Sequence, residues 1–230
     1  MLALFPDGFE EVDHSGSTEL VAYTDAAGEE QVWHVFGSAQ STDVEDGWED
    51  RWQAFHRPVE VGELWVGPPW ERPPAAALAV VIDPGRAFGT GAHPTTQLCL
   101  GLLQEIGASS LLDIGCGSGV LSIAASLLGF SPVTGVDVEV AAVEATRANA
   151  AANGVVVDAR LVGAEDELPA AEIAIANISL AGVTSVARRL KARTLVASGY
   201  LLSDRPTLAG WTHSRRNVLD GWAADVFHRN

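Results

Sequence analysis

The chain has 230 residues, 47% apolar and 19% charged, a globular balance with room for one large domain or two modest ones. Its formal charge of −16, from 30 acidic and 14 basic residues, disfavours a nucleic-acid partner and suits encounter with a basic one. Two cysteines, Cys99 and Cys116, form no CxxC or metal-type spacing, so no disulfide framework is expected and a reducing cytoplasm is the default. The opening MLALFPDGFEE has no basic region and does not read as a signal peptide. The apolar run AAALAVVI at 75–82 is too short to cross a bilayer.

Five of the seven tryptophans (Trp33, Trp48, Trp52, Trp65 and Trp70) fall in the first 70 residues. STELVAYTD and QVWHVFG read as strands there, and DGWEDRWQAFH as a helix with Trp48, Trp52 and Phe55 on one face. Four prolines within GPPWERPP, 67–74, read as an extended connector. The expected organisation is a small α+β N-terminal module over 1–66, a Pro-rich linker over 67–78 and an α/β domain over 79–230.

The larger region opens with the glycine loop AFGTGAHPTT at 87–96, followed by the helix-like TTQLCLGLLQEIG. Thr95 and Thr96 are expected to cap that helix, and the glycine segment to fold over a ligand as a lid, with Gly89 and Gly91 as hinges. Arg86 is the only basic residue near it, which argues against a polyphosphate. Strand-like LLDI (111–114), helix-like GVLSIAASLLGF, strand-like VTGVDV (133–138) and the Ala-rich EVAAVEATRANAAANG come next. Asn153 and Gly154 supply the stop signal of that second helix. VVVDARLV, AEIAIANI and TLVASGYLL give three more strands, with SLAGVTSVARRLK as a helix before the last. This alternation predicts a parallel sheet covered on both faces, with ligands at the carboxyl ends of its strands.

The first of these strands ends in DIGCGSG at 113–119 and opens directly into a helix, so glycines let the backbone approach a ligand. A dinucleotide fingerprint needs a glycine five residues after its first, but Val120 and Ser122 stand there, and no GK[ST] sequence occurs. What remains is Asp113, Gly115 and Gly117, then Asp137 at the next strand end, where a carboxylate can accept both hydrogen bonds of a ribose diol. A nucleoside without a pyrophosphate fits, and S-adenosylmethionine is such a cofactor. Ala164, Glu165 and Asp166 follow the third strand, where an adenine amino group would be met. Asn177 ends the fourth strand and can orient a target amine. Ile178, Ser179 and Leu180 after it offer no ring for stacking a flipped base, which again argues against DNA or RNA.

DPGRAFGTGAHPTTQLCL, DIGCGSGVLSIAA, GVDVEVAAVEATRANAAANGV and ANIS together resemble the bacterial ribosomal protein L11 methyltransferase family. The likeness extends upstream through GWEDRWQAFHRPVEVGELWVGPPWE and faintly into DGWAADVFHRN. The resemblance implies a Rossmann-like, seven-stranded methyltransferase domain binding S-adenosylmethionine through Thr96, Gly115, Asp137 and Asn177. It implies transfer of methyl groups to lysine ε-amines and the α-amine of ribosomal protein L11, in the cytoplasm, with no metal and no membrane. The family's N-terminal recognition domain is usually longer, and this chain is expected to lack its opening strand and helix. Asn-Ile-Ser-Leu also stands where Asn-Ile-Leu-Ala is common.

The implied chemistry is in-line displacement at the sulfonium methyl by a neutral amine, whose deprotonation at pH 7 costs roughly 4–5 kcal/mol for a lysine. No side chain declares itself as a dedicated base, so positioning and desolvation carry the reaction; His93 reads as structuring its turn rather than relaying a proton. Two other readings stay open: a lysine methyltransferase with a different protein client, and a cofactor-binding interaction protein without turnover.

Overall fold

The computed structural model describes residues 10–14, 17–21, 32, 33, 35, 36, 57–75, 77–83 and 91–230. By its contacts the chain divides into two compact units, Met1–Trp52 and Gln53–Asn230. In the first unit β1 (Glu10–His14) and β2 (Ser17–Val21) pair antiparallel, with Glu10 opposite Val21. Val32, Trp33, Val35 and Phe36 are helical, where QVWHVFG reads as a strand. Apolar runs this short do not distinguish the two periods. The helix expected from Trp48, Trp52 and Phe55 lies outside the described residues.

The second unit opens with a small sheet. β3 (Val59–Val61) pairs antiparallel with β4 (Leu64–Gly67), and β5 (Leu78–Val81) lies parallel to β4. Leu64, Val66, Val80 and Ile82 are buried in the same core as the helices that follow. The proline-rich segment is therefore the loop joining two paired strands. The division by contacts falls at 52/53, apart from this segment. Prolines mark backbone that joins no ladder, and a loop between strands meets that condition as well as a linker does.

The main sheet contains β6 (Leu111–Ile114), β7 (Val133–Asp137), β8 (Asp158–Leu161), β9 (Ile173–Asn177), β10 (Thr194–Leu201), β11 (Trp211–Leu219) and β12 (Trp222–Arg229). Their order is β11-β12-β10-β9-β6-β7-β8. From β10 to β8 every pair is parallel, whereas β12 is antiparallel to β10 and β11 to β12. Successive residues of a strand point to opposite faces. Ile173, Ile175 and Val196 accordingly face one core with α1 (Pro94–Glu105) and α2 (Val120–Leu127), and Ala174, Ala176, Leu195 and Ala197 face the other with α4 (Leu180–Ala187). The near-continuous apolar strands follow from burial on both sides.

Between β7 and β8 runs α3 (Val140–Ala152), stopped by Asn153 as C-cap and Gly154 at φ 66°. Asn153 also exchanges hydrogen bonds with Val81, accepting from its N at 2.8 Å and donating to its O at 2.7 Å. Four residues earlier on the same helix face, Asn149 accepts from Asp83 N at 3.2 Å. The helix thus docks the strand that leads toward the glycine loop. No helix among the described residues is long and apolar enough to cross a membrane.

Candidate functional site

β6 pairs with β7 on one side and β9 on the other, so the chain reverses its winding across β6, and a crevice opens at the carboxyl ends there. A cavity of about 1020 Å³ occupies it. Gly115 and Gly117 after β6, Asp137 to Glu139 after β7, Val162 to Glu165 after β8, and Asn177 to Ser179 after β9 line the walls, with Thr95 and Thr96 of α1 and Trp222 of β12.

The glycine turn is held from behind. Thr146 Oγ1 of α3 donates to Gly117 O at 2.9 Å, and Asn149 Nδ2 donates to Ser118 O at 2.9 Å. Gly115 sits at φ 72°, and a Cβ there would lie 2.5 Å from Ile178 Cγ2. A side chain at this point would fill the crevice and strain the turn. Asp137 accepts from Gly117 N and Glu139 N, each at 3.1 Å, one bond to each carboxylate oxygen. A carboxylate offers about four acceptor sites, so lone pairs remain for a diol in the cavity.

Opposite the glycines, α1 begins with His93 as N-cap and Pro94 at its first position, the favoured place for proline. His93 Nδ1 lies 2.7 Å from Thr95 Oγ1 and accepts from Thr95 N. The cap is therefore His93, where Thr95 and Thr96 are expected from sequence. An imidazole nitrogen does the work of a hydroxyl, freeing both threonines to be buried in the first turn, where they line the cavity. Thr96 Oγ1 accepts from Asn177 Nδ2 at 3.2 Å, linking α1 to the end of β9. Ser179 then caps α4, its Oγ accepting from Gly182 N.

Buried charge lies just behind the crevice. Asp113 is 1% exposed, accepts from Ser122 Oγ at 2.7 Å and faces the α1–α2 side. Burial first, and the Asp137 carboxylate in smaller measure, push it up to about 6 against the Ser122 hydrogen bonds. Burial pushes the Cys116 thiol up to about 12, which keeps it an unreactive neutral wall.

Of the residues expected at the site, Thr96, Gly115, Gly117, Asp137 and Asn177 come together on this one cavity. Asp113 does not: alternation along β6 turns it into the core, where it ties β6 to α2. Glu165 and Ala164 line the wall as expected; Asp166 instead folds back to accept from Gly163 N at 2.9 Å. Of the glycine loop, residues 87–90, with the expected hinge Gly89, lie outside the described residues. Gly91, at φ 91°, packs where a Cβ would press on Val66 at 2.5 Å.

Trp222, Gly199 and Arg189 are among the lining residues that the sequence does not announce. Trp222 opens β12 and meets the His93 ring edge-on, centroids 4.7 Å apart. Its signal is the Asp220-Gly221 pair, a two-residue hairpin turn with both φ positive, 46° and 81°. Gly199 and Arg189 carry no such signal.

A seven-stranded sheet of this order, with its last two strands antiparallel and its cleft at the β6 switch, is the Rossmann-like methyltransferase fold. The family model described as ribosomal protein L11 methyltransferase (PrmA) matches residues 9–207, and the chain belongs to that family. It is 40% identical over 193 residues to the ribosomal protein L11 methyltransferase of Pseudomonas putida (strain GB-1), covering 81% of this chain and 64% of that protein. It is 51% identical over 116 residues to that of Dechloromonas aromatica (strain RCB), covering 49% of this chain and 39% of the relative. The chain thus spans less than two thirds of the length of these relatives. The crystal structure of ribosomal protein L11 methylase from Lactobacillus delbrueckii subsp. bulgaricus superposes with a TM-score of 0.66 at 24% identity, over 76% of this chain and 100% of that one.

Proposed function

We propose that the chain transfers methyl groups from S-adenosylmethionine to amines of ribosomal protein L11, acting in the cytoplasm. The observation that carries this reading is the convergence of Thr96, Gly115, Gly117, Asp137 and Asn177 on one cavity at the switch point of the sheet. The cofactor would supply an electrophilic methyl on a sulfonium. Asp137, already fixed by two backbone N–H groups, would accept the ribose hydroxyls with its remaining lone pairs. Gly115 and Gly117 would pass beneath the aminoacyl chain with no side chain in the way.

Asn177 would position the acceptor amine. Its Nδ2 is committed to Thr96, so Oδ1 is the atom left to accept a hydrogen bond from the nucleophile. Thr96, accepting from Asn177, retains its own hydroxyl proton to donate into the cavity. A lysine entering such a site must arrive neutral, and burial of the ammonium beside a cation lowers its pKa toward that state. His93 holds the turn with Nδ1, and Trp222 braces its ring, so both shape the wall. The net charge of −16 suits a basic protein client.

Intact mass of purified ribosomal protein L11, incubated with the chain and S-adenosylmethionine, tests the proposal. Increments of one methylene each are expected. Cofactor binding with labelling of a different protein in a lysate would replace the client. Binding without any transfer would replace the activity.

A further inference from the structure

We propose that Thr146 is a positioning residue for the cofactor: acting through Gly117, it sets the direction of the Asp137 carboxylate toward the ribose. The inference rests on the S-adenosylmethionine reading above. Thr146 stands in the Ala-rich α3, where threonine is a weaker helix former than the alanines around it. Its side chain is fully buried and lines no part of the cavity. Threonine inside a helix commonly bonds a carbonyl one turn back. Thr146 instead donates out of the helix, to Gly117 O at 2.9 Å. Its Oγ1 also lies 3.3 Å from Cys116 Sγ, a weaker acceptor, so its one proton belongs to the carbonyl.

Gly117 is thereby held at both ends. Its O accepts from Thr146, and its N donates to Asp137 Oδ2 at 3.1 Å. Only the two rotatable bonds about its Cα separate those groups, and a glycine leaves both loose unless something outside fixes them. α3 comes this close because Gly119 leaves room, as a Cβ there would stand 3.0 Å from Thr146 Cγ2 and 3.1 Å from its Cα. Asn149, at the next turn of α3, holds Ser118 O at 2.9 Å, but the N–H of that peptide, on Gly119, turns back to Cys116 O at 2.8 Å. That second hold ends inside the turn, whereas the Thr146 bond runs on to the carboxylate. Without the hydroxyl, Gly117 rotates freely and Asp137 loses one of the two N–H groups that aim its lone pairs. Ordering them again must then be met from the free energy of ligand binding.

Calorimetric titration of S-adenosylhomocysteine and of its 2′,3′-dideoxy analogue tests this. T146V keeps the shape of the side chain and removes the hydroxyl, whereas T146S keeps the hydroxyl. T146V should bind S-adenosylhomocysteine about tenfold more weakly than the unaltered chain, and T146S within about threefold of it. For the dideoxy analogue, which offers Asp137 no hydroxyl, T146V and the unaltered chain should bind equally. Adding T146V to D137A should likewise weaken binding of the parent ligand no further. Where T146V does not fold, T146A, a better helix former, carries the same comparisons. An equal loss for both ligands makes Thr146 a support of the fold alone and overturns the proposal. So does a T146V that binds S-adenosylhomocysteine as the unaltered chain does. An unaltered chain that binds both ligands equally overturns the proposal and takes Asp137 off the ribose, leaving the cofactor reading in place. A chain that binds neither overturns the function reading itself, and this inference with it.

Discussion

Gly199 offers the sharpest test of how the sheet positions the site. It sits at φ 98° at an irregularity of β10 between Ser198 and Tyr200, and lines the cavity. A Cβ there would lie 2.0 Å from Ile178 O, 2.6 Å from Ile178 C and 2.9 Å from Ile178 N. All three are backbone atoms, so no rotamer change relieves the contact, and the segment from Asn177 to Ser179 must move. Gly199→Ala combines left-handed strain of about 1–3 kcal/mol with overpacking of about 1–3 kcal/mol. Together these remove about 2–6 kcal/mol from a domain whose total stability is about 5–15 kcal/mol. Gly129 separates the two contributions: its φ is 89°, and nothing lies within 4 Å of its Cβ position. Gly129→Ala carries the strain alone. Urea unfolding of both variants gives the difference, and S-adenosylmethionine titration of folded Gly199→Ala reports the displaced loop as weaker binding. A Gly199→Ala no less stable than Gly129→Ala, with unchanged cofactor affinity, would refute the reasoning.

Asp137→Ala removes charge-assisted hydrogen bonds and should weaken S-adenosylmethionine by about tenfold to a hundredfold; unchanged calorimetric affinity would remove Asp137 from the ribose. Asp113 titrates near 6 in the fold against 3.8 unfolded, so the native state holds the extra proton and stability falls as pH rises through that window. The full titration is worth about 3 kcal/mol, about 2 kcal/mol of it between pH 4.5 and 7.5, and urea unfolding should show this loss in the chain but not in Asp113→Asn. Equal pH slopes would contradict it. Residues 53–230 expressed alone should bind S-adenosylmethionine, whereas a start at 79 removes β3 and β4, which supply Leu64 and Val66 to the core, and should unfold at lower urea. Hydrogen exchange across 85–97 should slow when cofactor is added; equal rates in a chain shown to bind it would make the glycine loop a fixed scaffold.

The parallel strands were legible because burial on both faces writes continuous apolar runs bounded by glycine and polar turns, as in LLDI and IAIAN. The site residues on strand ends were legible for the same reason, since the end of the run names the residue at the crevice. Asp113 misled because the run places it one residue before the turn, and a residue's face is set by alternation that the apolar run hides. The β11–β12 hairpin escaped because THSR on β11 is polar and exposed on an edge strand, leaving the Asp220-Gly221 turn as its clearest mark. His93 as a cap escaped because the hydroxyls beside it are the stronger capping types. Gly199 and Arg189 reach the cavity through their proximity to Ile178 and Asp166, and tertiary proximity of that kind leaves no trace in local sequence.

The placement of β12 has a consequence for synthesis. It lies between β10 and β11 in the sheet, yet it is made after both. Until it emerges from the ribosome, β10 keeps an open edge and β11 has no neighbour in the sheet. At about 5–20 residues per second, the interval from Leu201 to Arg229 leaves that edge bare for roughly 1–6 s. Trp222 belongs to the same late strand and closes the cavity against His93. The wall of the cavity that Trp222 forms is therefore the last to be made, after every strand end at the crevice.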